Sequence, residues 1–149
     1  IIFVSPSQII TSDTDGDSFH EMVCVYDGFG VYIADYTPGS GYQWNRITWG
    51  TPQEDHLISH GDIAFGHGSE ILMAFEGSTY YYSRDTGGWS ELVTAPFRRI
   101  ISGTFTGQAR DDLILCDSIT GNVYLRRTYF GTFELLSAEG DASSICKTE

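Results

Sequence analysis

The stretch EMVCVYDGFGVYIADY, residues Glu21 to Tyr36, decides the fold. Two short runs rich in Val, Ile and Tyr flank the turn signal Asp27-Gly28, and that is the chemistry of a β-hairpin. An acid, an apolar run, a turn and a Tyr-bearing run recur in the same order as EILMAFEGSTYYYSRD from Glu70 and as DLILCDSITGNVYLRR from Asp112.

Each hairpin belongs to a longer unit. An aliphatic pair opens each one: Ile9-Ile10, Leu57-Ile58 and Ile100-Ile101. The acid follows (Glu21, Glu70, Asp112), then a tyrosine (Tyr32, Tyr81, Tyr124), then a closing aromatic (Trp44, Trp89, Phe133). The units span approximately residues 9–48, 57–93 and 100–136, and equivalent positions lie 42–49 residues apart. No window sustains helical i, i+3, i+4, i+7 spacing, so the chain reads as all-β with four short antiparallel strands per unit.

A four-stranded repeat of this period is the arithmetic of a β-propeller blade. We therefore expect residues 1–149 to form one repeat domain of three propeller blades. Twelve strands in three units also fit a β-trefoil, the alternative. Ile1 to Val4 sit where a preceding unit's closing strand would lie, and Ile145-Cys146 where a following unit would open. The chain thus reads as a window on a longer array. Three blades do not close a ring, so the expectation is a homo-oligomer, six-bladed if two copies join, or membership of a larger propeller.

The formal net charge is −12, with only eight Lys and Arg, which disfavours nucleic acid and anionic membrane surfaces as partners. No run approaches the roughly 18 apolar residues of a membrane-spanning helix. The charge is uneven: residues 1–75 hold ten acids and one base, Arg46, whereas residues 76–149 hold ten acids and seven bases. The odd, widely spaced set Cys24, Cys116 and Cys146 reads as buried or free thiols. No nucleophile elbow, phosphate loop or metalloprotease motif is present, and the expectation is not an enzyme.

The acidity concentrates in DTDGDSFHE, Asp13 to Glu21. Carboxylates from Asp13, Asp15, Asp17 and Glu21, with the Phe19 carbonyl, form a hard oxygen set suited to Ca²⁺. An EF-hand is excluded, because its twelfth position is Cys24 and its glycine position is Ser18.

Between an aliphatic strand and the strand EMVCVYD, this loop resembles the FG-GAP and VCBS-type repeat, whose calcium loop has the form D-x-D-x-D-G-x-x-D. The likeness covers roughly residues 9–136. In the third unit Thr104, Thr106 and Gln108 take the three aspartate positions; the second keeps Asp62 and Glu70 around Ala64 and Gly66. The first unit departs at Ser18, for Gly, and at Glu21, for Asp. The resemblance implies an integrin-like propeller segment at an extracellular or cell-surface location. It further implies a binding or adhesion role toward a protein or carbohydrate ligand. The alternatives are a structural propeller segment of a larger secreted toxin or surface enzyme, and a β-trefoil lectin.

The remaining residues read more plainly. Trp44, Trp89 and Phe133 recur and are expected in the core between blades. Trp49 and Tyr129 do not recur, sit in connections, and are the candidate ligand-binding aromatics. His56, His60 and His67 lack zinc-ligand spacing and read as solvated loop residues. Arg98-Arg99 and Arg126-Arg127 read as solvated surface, and Asp111-Asp112 as acids on opposite faces of a strand.

Overall fold

The computed structural model describes residues 5–48, 58–64, 66–75, 77–95, 97–117, 119–128 and 131–137, with the Arg98 side chain excepted. Those residues form three four-stranded antiparallel meanders and contain no helix. The first sheet holds β1 (Gln8–Ser12), β2 (Glu21–Tyr26), β3 (Gly30–Thr37) and β4 (Gly41–Arg46). The second holds β5 (Ile58–Gly61), β6 (Glu70–Phe75), β7 (Ser78–Ser83) and β8 (Gly88–Val93). The third holds β9 (Phe97–Gly103), β10 (Asp112–Asp117), β11 (Val123–Arg127) and β12 (Thr132–Ser137). Within each sheet the spatial order is the chain order.

The sheets stack face to face. Val23, Val25, Val31 and Ile33 of the first sheet pack on Ile58, Ile71 and Met73 of the second. Leu72 and Ala74, on the other face of β6, pack on Ile100, Leu113 and Leu115 of the third. This explains why EILMAF is apolar at five consecutive positions after its acid: β6 is covered on both faces, so alternation is lost. Ile71 and Leu72 are wholly buried, and each such side chain contributes about 1.5–3 kcal/mol of burial free energy. The opening strands lie side by side, β1 beside β5 and β5 beside β9.

Among the described residues no strand pairs with a strand of another unit, so the shared barrel of a β-trefoil is not formed. The sheets do not close into a ring among those residues either. The expected end strands, Ile1 to Val4 and Ile145-Cys146, lie outside the described residues, as do the candidate aromatics Trp49 and Tyr129.

The ladders correct one alignment. Tyr32 stands opposite Cys24, and Tyr124 opposite Leu115. The equivalent residue opposite Met73 is Tyr80, not Tyr81. The β6–β7 hairpin pairs Phe75 with Ser78, one residue tighter than the Tyr26–Gly30 pairing of the first unit. A slip of one residue sends a side chain to the opposite face, so Tyr81 looks toward the third sheet and Tyr80 takes the repeat position.

Trp44, Trp89 and Phe133 do occupy one register position, opposite Ala34, Tyr82 and Arg126. Only Trp89 packs against the core between sheets, and its indole N–H donates to the Ile47 carbonyl at 2.7 Å. Trp44 is 45% exposed and Phe133 44% exposed, contrary to the expectation of core. Trp44 lies on the face of the first sheet that the second does not cover, whereas Phe133 lies on the peripheral strand β12.

Candidate functional site

Each unit carries a loop between its first and second strands, and one buried carboxylate closes each loop. Glu21 Oε2 accepts the Thr14 N–H at 2.7 Å and the Thr14 hydroxyl at 2.6 Å. Glu70 Oε2 accepts the Ile63 and Ala64 N–H groups, both at 2.9 Å. Asp112 Oδ2 accepts the Thr106 N–H at 2.9 Å and its hydroxyl at 2.6 Å. The three carboxylates are 6%, 2% and 0% exposed. The recurring acid therefore satisfies loop N–H groups that burial would otherwise leave unpaired. Two of the three loops use it with no aspartate cluster beside it, so its first task is structural. Burial raises the pKa of Glu70, against the opposing pull of the Ala64 and Ile63 N–H groups; the charge of Asp62 adds to the rise.

The first loop adds acids to this frame. Asp13 Oδ1 accepts the Gly16 N–H at 2.7 Å, and its Oδ2 accepts that of Ser18 at 3.0 Å. Asp15 accepts from the Asp17 N–H and Asp17 from the Phe19 N–H, at 3.3 Å and 2.8 Å. Ser18 has φ of 72°, the one non-glycine residue with positive φ among those described. It stands where the resembled calcium loop has glycine.

Of the five ligands expected from sequence, three come together. Single carboxylate oxygens of Asp13, Asp15 and Glu21 lie within 4.8 Å of one another. Oxygens bound to one Ca²⁺ at about 2.3–2.6 Å are at most about 5 Å apart, so this spacing fits. Asp17 is not in that group, and Phe19 is 75% exposed.

A protein cation also serves the cluster. Arg84, in the turn between β7 and β8, reaches from the second sheet to the first. Its guanidinium donates to both Asp35 oxygens, at 2.5 Å and 3.2 Å, and to the Thr14 hydroxyl at 3.4 Å. Asp15 lies 3.7 Å from the same nitrogen. Burial alone would lower the Arg84 pKa, but the hydrogen bonds and charge of Asp35, with Asp15 and Glu21 beyond, outweigh it and raise the value. Nothing in the sequence spacing pointed to Arg84, because its acids lie 49 and 69 residues away along the chain.

Consecutive loops are clasped by a repeated backbone bond. The Ser69 N–H donates to the Asp13 carbonyl at 2.6 Å, and one unit later the Asp111 N–H donates to the Asp62 carbonyl at 2.9 Å. Arg110 adds an ion pair to Asp62 at 2.6 Å. Gly68, at φ of 85°, lies so close to the first loop that a Cβ there would fall 2.6 Å from the Thr14 carbonyl carbon and 2.7 Å from the Gly16 nitrogen.

No family model, curated protein or solved structure matches the chain. The site is accordingly read from its own geometry.

Three other expectations change, at His60, Cys116 and Arg126. His60 is a half-buried strand residue in β5, not a loop residue, and burial pushes its pKa down despite the nearby Asp111. His67 is exposed beside Asp85, and His56 lies outside the described residues. Cys24 is buried and free, but Cys116 is disulfide-bonded, contrary to the expectation of free thiols. Arg127 pairs with Glu134 at 2.8 Å, while Arg126 points into the seam between the second and third sheets and is not solvated surface.

Proposed function

We propose that the chain is a non-enzymatic binding module of FG-GAP/VCBS type, a run of propeller blades whose first loop takes Ca²⁺. The observation that carries this reading is the convergence of Asp13, Asp15 and Glu21 oxygens within 4.8 Å, on a loop whose Ser18, at the position of the resembled motif's glycine, adopts a left-handed conformation. Glu21 Oε2 is committed to Thr14, which leaves its other oxygen for an ion. Calcium supplies charge neutralisation and stiffening of the loop; the ligand is a protein or a glycan.

Two further features support the setting. A disulfide at Cys116 suits an oxidising compartment, in keeping with an extracellular or cell-surface location. The face of the first sheet that bears Tyr32 and Trp44 is equivalent to the face of the second that packs on its predecessor, so another copy or a further unit fits against it.

The second reading is a metal-free structural clasp, favoured by Arg84 and by the backbone bonds that satisfy Asp13. Thermal melts with and without Ca²⁺ separate the two. At about 100 times Kd the ion adds about 2.7 kcal/mol of stability. That gain should vanish in Asp15→Ala and persist in Glu70→Gln. No shift in the wild type at millimolar Ca²⁺ leaves the clasp.

A further inference from the structure

The seams on either side of the second sheet are filled differently. In the first, Tyr82 of β7 meets Trp89 with ring centroids 5.5 Å apart and planes tilted by 52°, and both pack into the apolar core. The position equivalent to Tyr82 in the third sheet is Arg126, opposite Leu113 and facing the second sheet. Phe133 takes the place of Trp89, and the Arg126 guanidinium lies 5.8 Å from its ring centre. An arginine thus stands where the first seam holds an aromatic ring.

Around it opens a cleft of about 320 Å³ between the second and third sheets, walled by Ile63, Tyr81 and Leu92, with Arg126 and Thr128 as its polar lining. That volume is at the lower end of the range for small-molecule pockets, about 300–1,000 Å³. Arg126 has no acidic partner among the described residues. Among those residues its buried Nε finds no hydrogen-bond acceptor, and the buried Thr128 hydroxyl finds no partner. Unpaired buried donors are costly, and in a folded protein their usual partner is water or a ligand. Burial also lowers the Arg126 pKa, which an anion beside the guanidinium would reverse.

Glu91 also borders the cleft, but its side chain lies on the face of β8 that Trp89 presents to the first sheet. Its Oε1 is held by the Ser78 and Thr94 hydroxyls at 2.7 Å and 2.8 Å.

We infer that this cleft binds a monocarboxylate of sugar-acid type, its carboxylate on Arg126 and Thr128 and the face of its ring on Tyr81. A planar guanidinium suits a carboxylate bidentately, and the apolar wall of Tyr81, Ile63 and Leu92 suits the face of a sugar ring. The inference rests on the reading of the chain as a binding module but shares no residue with the calcium loop, so each can fail alone.

The test is a two-dimensional NMR titration of the whole chain with glucuronate, glucose and inorganic phosphate, at physiological salt. Glucuronate should saturate in the millimolar range or below, with shifts centred on β7, β8 and β11, while glucose and phosphate bind at least about tenfold more weakly. Arg126→Met should weaken glucuronate by about tenfold or more, the loss expected for one charge-assisted pair, with the calcium melt shift unchanged. If that variant does not fold, Thr128→Val carries the test and should weaken binding severalfold. Absence of saturation by glucuronate overturns the inference. So does equal binding by a folded Arg126→Met, or by Thr128→Val where that variant carries the test. Phosphate binding as tightly as glucuronate overturns the carboxylate class.

Discussion

The loop before β2 and the loop before β6 are built on the same frame and tuned to different ends. Both are closed by a buried glutamate that accepts from loop N–H groups. The first then adds aspartates that face one another and an arginine from the next sheet. The second puts Ala64 and Gly66 in the corresponding places and has only Asp62, which receives Arg110 from the next loop. The lesson is that the recurring acid marks the fold, and only the residues around it mark a candidate ion site. An acid conserved in pattern across the repeat is therefore weak evidence for calcium, whereas Asp13 and Asp15 are stronger.

The second loop touches the first at Gly68. Gly68→Ala should cost about 2–5 kcal/mol, from the left-handed backbone and from overlap with Thr14 and Gly16. Urea denaturation measures it. At the equivalent position of the first unit, Phe19 is exposed, and Phe19→Ala should be near neutral, within about 0.5 kcal/mol.

A smaller effect is expected at Arg84. The pair with Asp35 is only partly buried, so Arg84→Met should destabilise the ion-free protein by about 1 kcal/mol. The same variant removes a positive charge 3.7 Å from Asp15, so Ca²⁺ should bind it more tightly than wild type in a calorimetric titration. Unchanged or weaker Ca²⁺ binding would place the ion elsewhere.

Ser18→Gly should stabilise by about 0.5–1 kcal/mol, since glycine relieves the left-handed strain but adds entropy to the unfolded chain. The smallest signal is a pH dependence. Burial raises the pKa of Glu70, so the folded state favours its protonated form. The stability this group contributes is fully present below the unfolded glutamate pKa and is lost as pH rises through the folded one. Glu70→Gln keeps an acceptor for Ile63 and Ala64 without that dependence. Its stability should therefore fall less than that of wild type as pH climbs from about 4 toward neutral. Parallel melts across that window check the sign.

Much of the fold was legible in the chain. The three hairpins, the antiparallel meanders and the positions of Glu21, Glu70 and Asp112 follow from apolar runs punctuated by turn residues. The tyrosine register was misread in the second unit because one residue fewer in a hairpin flips the face, and composition does not report turn length. Of the site, the aspartates could be read directly, since they are neighbours in sequence. Arg84 and the cleft around Arg126 could not, because both depend on which sheet lies opposite.

Strand pattern, repeat period and the acidic loop are local features, each arising from side chains a few residues apart. Pairing across the seams belongs to the folded stack of sheets. It put Trp89 in the core and left Trp44 exposed, and it put one arginine on an acid and left another facing an open cleft. The physical reason is that burial and charge partnership belong to the surface a residue meets. In a stack of similar sheets, that surface is contributed by residues some 40 to 50 positions away.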